Sequence, residues 1–376
     1  MKHALFPLAA LALALPTAAQ NVGLNLTNGI DAYLDAPYDP SIVPRSGITV
    51  EAWITYDDAT LGAGYRWPTV VRQNPAAGSE VYMLRVDAGN VNNRNLKWAV
   101  LTANGRFQII WPFAPGQFIP WTHLAASYDG AALRLFVNGV EVASTPANGG
   151  AIANTGNALR IGNGDLSAPG AEEWNGQIDE VRLWPFARTA AEIQSTMNFE
   201  LALVPGEVST WNLNGTGIDS SWNNSAAPVN APTFAQNTLV LTQLGSYGAT
   251  TFGTATPGCL GTPRMVMGTF GKVGNAAFSL GTIRATATGS GVLWFGTRNL
   301  TSPINVLGID LWLDPGQPNV LVSIPGGPLG YVRVPMPIPN LRYLASQSFY
   351  AQTIWAQAGC AVPIFSSTPL TFSIAL

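Results

Sequence analysis

The chain has 376 residues, enough for two domains of ordinary size. Charged residues are only 10% of it while Gly (39) and Pro (28) are plentiful, the composition of short strands and many turns; 47% hydrophobic content fills cores and excludes a disordered chain. A net charge of -3 leaves no basic surplus for phosphates and excludes nucleic acid as the partner.

Lys2 and His3 precede an apolar run, Ala4 to Leu15, too short to span a bilayer. Thr17-Ala18-Ala19 then offers small residues for cleavage, so residues 1-19 read as the signal peptide of an exported protein. No later stretch predicts a membrane helix. Asn21 to Ala36 reads as one or two strands. In Ile48 to Ile54, Ile48, Val50, Ala52 and Ile54 share one face and Thr49, Glu51 and Trp53 the other. A loop rich in Gly and Asp follows from Asp57 to Trp67. Strands are then expected at Thr69 to Val71, Val81 to Val86, Lys97 to Leu101 and Phe107 to Trp111, with turn signals spaced as in a β-sandwich.

Trp121 to Ser144 predicts a β-meander. Leu133, Leu135 and Val137 alternate with Arg134 and Phe136, and Asn138-Gly139 supplies the φ > 0 pair of a type I′ hairpin turn. Tyr128-Asp129-Gly130 makes the earlier turn. Ala158 to Gly162 is a short strand, and Asn163 to Asn175 a loop carrying Asp165, Glu172 and Glu173. Gln177 to Trp184 is the next strand, with Ile178, Glu180, Arg182 and Trp184 on one face. Thr189 and Glu192 form a capping box opening a helix, Ala190 to Met197.

The ordered series "ITVEAWI", "WTHLAASYDGAALRLFVNGVEVAS", "LRIGNG" and "WNGQIDEVRLWPFARTAAEI" resembles the LamG-like (laminin G type 3-like), concanavalin A-like jelly-roll family over residues 20-200. The resemblance implies an all-β, antiparallel two-sheet jelly roll. It also implies a non-catalytic module that binds glycans, matrix or protein partners, often with a structural calcium ion. Residues 205-234, with Trp211-Asn-Leu and Asp219-Ser-Ser-Trp-Asn-Asn, resemble a further piece of the same family, read as a closing strand in preference to a remnant of a second copy. The jelly roll is thus assigned to residues 20-235 and a linker to 236-257. Residues 258-376 form a second, β-sandwich-like domain resembling a C-terminal β-rich module of secreted bacterial proteins. In an exported chain its two cysteines, Cys259 and Cys360, are most simply one disulfide clamping that domain's ends.

Catalytic motifs are absent: no G-x-S-x-G, H-E-x-x-H or Walker-type loop occurs, and His123 reads as structural. A glycan hydrolase on this fold needs two carboxylates on one cleft. Glu51 and Glu180, facing each other across sheets, are candidates, but Arg182 favours a buried ion pair. For calcium, the oxygen donors most like the family's are Asp57, Asp58, Asp179 and Asp219; alternatively these acids cap turns and loop amides. For glycans, Tyr65, Trp67, Trp111 and Trp174 lie in or beside loops where sugar rings could stack, whereas Trp53, Trp184 and Trp211 read as core. The expected function is non-catalytic binding of polysaccharide or of cell-surface or matrix components, at the cell surface or in secreted form. The alternatives are a secreted glycan hydrolase and a structural surface protein.

Overall fold

The computed structural model describes residues 21-26, 30-45, 47-64, 66-74, 79-165, 170-201, 209-220, 224-244 and 248-376. The signal-peptide segment and Tyr65 lie outside the described residues. The first strands are β1 (Val22–Leu26), β2 (Tyr33–Ala36), β3 (Ile48–Ile54), β4 (Thr69–Gln73), β5 (Tyr82–Val86) and β6 (Asn95–Thr102). There follow β7 (Gly105–Pro112), the meander β8 (Thr122–Tyr128), β9 (Ala132–Val137) and β10 (Val140–Pro146), then β11 (Leu159–Ile161) and β12 (Gly176–Trp184). Helix α1 (Ala190–Thr196) is followed by β13 (Phe199–Leu201), β14 (Ser209–Trp211), β15 (Ala227–Val229) and β16 (Thr233–Gln236).

All of these strands but β13 build two antiparallel sheets of a jelly roll, ordered β10-β9-β8-β3-β12-β1-β16, with β14 beside β12, and β15-β2-β11-β4-β5-β6-β7. Segment 209-236 therefore closes both sheets, β14 on β12, β15 on β2 and β16 on β1. The inner faces meet in one core that includes Ile48, Val50, Ala52 and Ile54 of β3, as the period-2 pattern predicts. The meander turn also forms as expected, with Asn138 at φ 49 and Gly139 at φ 76.

β12 departs from simple alternation. Glu180 takes φ 50 and the register against β3 shifts between Asp179 and Arg182. This bulge inserts one residue, so Ile178 faces the jelly-roll core together with Val181 and Leu183, while Glu180, Arg182 and Trp184 turn to the other side. Ile178 thus does not share a face with Glu180, contrary to the strict alternation.

The outer face of the β3-β8-β12 region is covered. After Trp184 the chain doubles back across it: Thr49 Oγ1 donates to Phe186 O (2.8 Å) and Trp53 Nε1 to Met197 O (2.7 Å). The capping box at Thr189 and Glu192 forms, and Ile193 of α1 packs on Ala125 and Phe136.

The second module comprises β17 (Thr242–Leu244), β18 (Ala249–Thr251), β19 (Arg264–Met267), β20 (Ser279–Ile283), β21 (Ser290–Gly296) and β22 (Asn299–Val306). β23 (Ile309–Leu313), β24 (Asn319–Pro325), β25 (Val332–Pro335), β26 (Ser348–Ala356), β27 (Ile364–Ser366) and β28 (Leu370–Ser373) complete it. Its main sheet runs β18-β28-β26-β21-β24, with β27 beside β26; β19-β20-β25 and β22-β23 form two smaller ones. Residues 236-257 are not a free linker: β17 pairs with β13 and β18 with β28, tying that stretch to both modules. Trp184, Phe186 and Leu201 join the second core, where Phe186 stacks on Tyr331 (5.1 Å). Cys259 and Cys360 are disulfide-bonded, Cα atoms 5.2 Å apart.

Candidate functional site

The seven-stranded sheet turns its second face away from the core, and that face is charged. Asp35 of β2, Arg160 of β11, Arg85 of β5 and Lys97 of β6 each sit between two core-facing neighbours, and Arg72 of β4 and Arg106 of β7 each stand beside one, Val71 and Phe107. Strand register places Arg160 beside both Asp35 and Arg72, and Lys97 between Arg85 and Ile110.

At the centre Arg72 is buried and gathers three carboxylates: Glu172 at 3.2 Å, Asp165 at 3.4 Å and Glu80 at 3.5 Å. A guanidinium occupies the point where these acids converge. Asp165 and Glu172 come from the loop after β11, whose residues 170-175 bond to Asp57, Arg66, Trp67 and Thr69. Trp67 N donates to Ala171 O (2.7 Å), Thr69 N to Glu172 O (3.0 Å) and the Arg66 guanidinium to Gly170 O (3.1 Å). Burial pushes the Glu172 carboxyl up, although Arg72 opposes it. Arg160 lies over the Tyr33 ring at 3.9 Å.

Toward β7 the face opens. The Asp87 carboxylate takes Arg85 and Lys97, each at 3.2 Å, Arg106 pairs with Glu80, and Gln108 and Ile110 are exposed. Burial lowers the Arg85 and Arg106 guanidinium pKa values, with Arg72 adding to the effect on Arg106. Fixed cations and carboxylates in alternation offer donors and acceptors side by side, the complement of sugar hydroxyls that do both. Trp67, partly exposed and in neither hydrophobic core among the described residues, lies two residues before β4, its N–H bonded to Ala171 next to Glu172.

Residues 28–194 match the family model of the Concanavalin A-like lectin/glucanases superfamily, in its laminin G type 3 form. Pappalysin-1 of Mus musculus and of Homo sapiens are each 36% identical over 89 residues, 23% of this chain and 5% of theirs. The chain thus spans about one-twentieth of the curated relatives it matches. Among solved structures, a Bacteroides ovatus protein assigned to carbohydrate binding is 18% identical, with TM-score 0.44, over 58% of this chain and 60% of that one. The SAP-like pentraxin of Limulus polyphemus is 13% identical, with TM-score 0.40, over 58% of this chain and 97% of that one. Mouse laminin alpha1 domains LG4-5 are 11% identical, with TM-score 0.35, over 98% of this chain and 86% of that one.

Within the jelly-roll module, the aromatic residues singled out in the sequence separate clearly. Trp174 is fully buried: its ring packs on Tyr56 (4.6 Å) and its Nε1 donates to Thr55 O (2.9 Å), so it belongs to the core and not to a ligand surface. Trp111 lies in β7 and packs against the same core. Trp67 alone of the described three keeps a ring outside both cores.

The four acids named as candidate calcium donors lie in three neighbourhoods, Asp57 with Asp58, Asp219, and Asp179. Asp57 accepts from Ala59 N (3.0 Å) as the cap of a short 3-10 turn; Asp58 accepts from Gly116 N (3.0 Å) and pairs with Arg94. Asp219 is buried and accepts from Thr210 N (2.8 Å) and Asn224 N (3.1 Å). Asp179 accepts from Asn21 (2.9 Å) and Asn237 (3.1 Å), and burial with Glu180 alongside pushes its carboxyl up to about 8. Among the described residues no group of three or more His, Cys, Asp or Glu is placed to hold a metal. The alternative, acids capping turns and loop amides, matches the contacts.

Glu51 and Glu180 belong to neighbouring strands of one sheet, not to opposing sheets, and both are sealed. Arg188 holds Glu51 at 2.5 Å and Arg182 holds Glu180 at 2.8 Å. Burial alone would raise the Glu51 carboxyl; Arg188, His123 and Arg182 outweigh it and bring it down to about 2. Burial keeps His123 below its ordinary value, hence neutral at pH 7. This pair opens to no cleft.

Sequence reasoning missed the charged row. The signal was present: Arg72 lies between Val71 and Gln73, Arg85 between Leu84 and Val86, Lys97 between Leu96 and Trp98, and Arg160 between Leu159 and Ile161. A single basic residue at the outward position of four strands marks one face.

Proposed function

We propose that this is an exported, non-catalytic binding protein whose concanavalin A-like module recognises polysaccharide, or the glycans of cell-surface or matrix components, on the outer face of its seven-stranded sheet. The observation that carries the reading is the row of paired cations and carboxylates across β4 to β7, with the partly exposed Trp67 two residues before β4. Trp67 supplies a stacking surface, and Asp87, Lys97, Arg106 and Gln108 supply donors and acceptors at the open end. The sealed state of Glu51 and Glu180 supports a non-catalytic role. The disulfide, and an N-terminal segment of signal-peptide pattern, support export. The second module then serves attachment or display.

Glycan-array and affinity-electrophoresis measurements test this. Trp67→Ala and Lys97→Ala are expected to weaken retention at least about tenfold, the scale of one stacking or charged contact, with unchanged thermal melts. Equal retention by both variants would overturn the assignment.

A further inference from the structure

Sheet edges expose unpaired N–H and C=O groups, and proteins blunt them with short strands, charges or bulges. Most edges here follow that rule. β15 and β18 have three residues each and β16 four, β10 carries Glu141 and a bulge, and β7 carries Arg106. β24 is different. It is seven residues long, pairs with β21 without a register shift, and ends the main sheet of the second module. No charged residue occurs from Pro315 to Tyr331. Val320 is 53% exposed and Leu321 67%.

The hydrogen-bond phase says which groups point outward. Gly326 N donates to Gly289 O (2.8 Å), so Val320, Val322 and Ile324 spend their backbone groups on β21. The N–H and C=O groups of Leu321 and Ser323 therefore face away from the sheet. Side chains divide likewise: Ile324 is buried and Val322 packs on the second core, while Leu321 stands on the opposite face.

We propose that β24 pairs antiparallel with β24 of a second copy of this chain, about a two-fold axis at Leu321. That register sets Leu321 against its own equivalent, Val320 against Val322 on the other face, and Asn319 against Ser323. Apolar meets apolar and polar meets polar in each of these pairs. Shifting the axis to Val322 would set Leu321 against Ser323 and lose the match. The strand is uncharged, so two copies approach without repulsion, and isologous pairing uses each outward amide of Leu321 and Ser323. One strand edge is smaller than a standard interface of about 1,600 Å², so association depends on concentration. This surface is separate from the charged row of the first module.

Sedimentation velocity of the full chain over a wide concentration range tests the pairing. The wild-type chain is expected to pass reversibly from monomer to dimer. Leu321→Lys and Leu321→Asp, each placing like charges face to face at the axis, are expected to weaken dimerisation at least tenfold with unchanged melts and glycan retention. An equimolar mixture of the two variants is expected to restore dimers. A wild-type chain that stays monomeric at its highest soluble concentration would overturn the proposal, as would undiminished dimerisation of the Lys variant or a mixture that stays monomeric.

Discussion

Arg188 is where the two modules and the helix are tied together, and its replacement tests the buried network directly. The side chain is sealed. It meets Glu51 at 2.5 Å, Glu192 O at 2.6 Å, Thr196 Oγ1 at 2.8 Å and Gly268 O of the second module at 2.9 Å, and lies over the Trp184 ring at 3.9 Å. In Arg188→Ala the Glu51 carboxylate would keep only neutral His123 at 3.6 Å and Arg182 at 4.0 Å. Removing one partner of a buried pair costs about 3–5 kcal/mol. For a domain of this size that lowers the melting temperature by roughly 10 °C. Glu51→Gln with Arg188→Met removes both charges and keeps most of the volume, so the double variant should recover much of the loss. Calorimetry of the wild type, Glu51→Gln, Arg188→Met and the double closes the cycle. An Arg188→Ala melt within about 2 °C of wild type, less than 1 kcal/mol, would refute the buried-pair reasoning.

The two carboxylates of this network predict opposite pH responses. Glu51, held down to about 2, contributes stability that is present above its ordinary 4.5 and is lost as pH falls toward 2. Glu180, pushed up to about 7 by burial despite Arg182, contributes stability that is full below 4.5 and is lost as pH rises through about 7. Melting temperature against pH should therefore lose part of its acid limb in Glu51→Gln and part of its neutral slope in Glu180→Gln; unchanged profiles would contradict both assignments. Replacing Cys259 and Cys360 by Ala opens a loop with a sequence separation of 101 and should cost the second module about 4 kcal/mol, read by denaturant titration. Melts with and without a calcium chelator should coincide, because Asp57, Asp58, Asp179 and Asp219 are engaged by amides or Arg94; a chelator-dependent drop would contradict this. Trp174→Ala should destabilise by about 3–5 kcal/mol, which equilibrium unfolding would detect and a merely surface tryptophan would not show.

Much of the jelly roll was legible because its strands follow period 2 and its turns carry φ > 0 residues of the expected type, Asn138-Gly139 foremost. The Leu307-Gly308 turn of the β22-β23 hairpin was not, since Leu307 at φ 52 gives no turn signal. The bulge at Glu180 was also hidden, because one inserted residue leaves no compositional mark yet reverses which side chains face the core. At the site the difficulty was tertiary. Trp174 sits in an irregular segment but is swallowed by Tyr56 and Thr55, and loop position alone cannot distinguish it from Trp67. The acids of loop 163-175 were visible as charges, whereas their partner Arg72 lies on a distant strand.

The most direct test of glycan recognition on the charged sheet face is binding of polysaccharide by Trp67→Ala compared with Trp53→Phe, whose indole lies on the covered outer face of the other sheet and donates to Met197 O. Both proteins should remain folded, with retention lost in Trp67→Ala and kept in Trp53→Phe. Retention kept in Trp67→Ala, or lost only in Trp53→Phe, would contradict the account.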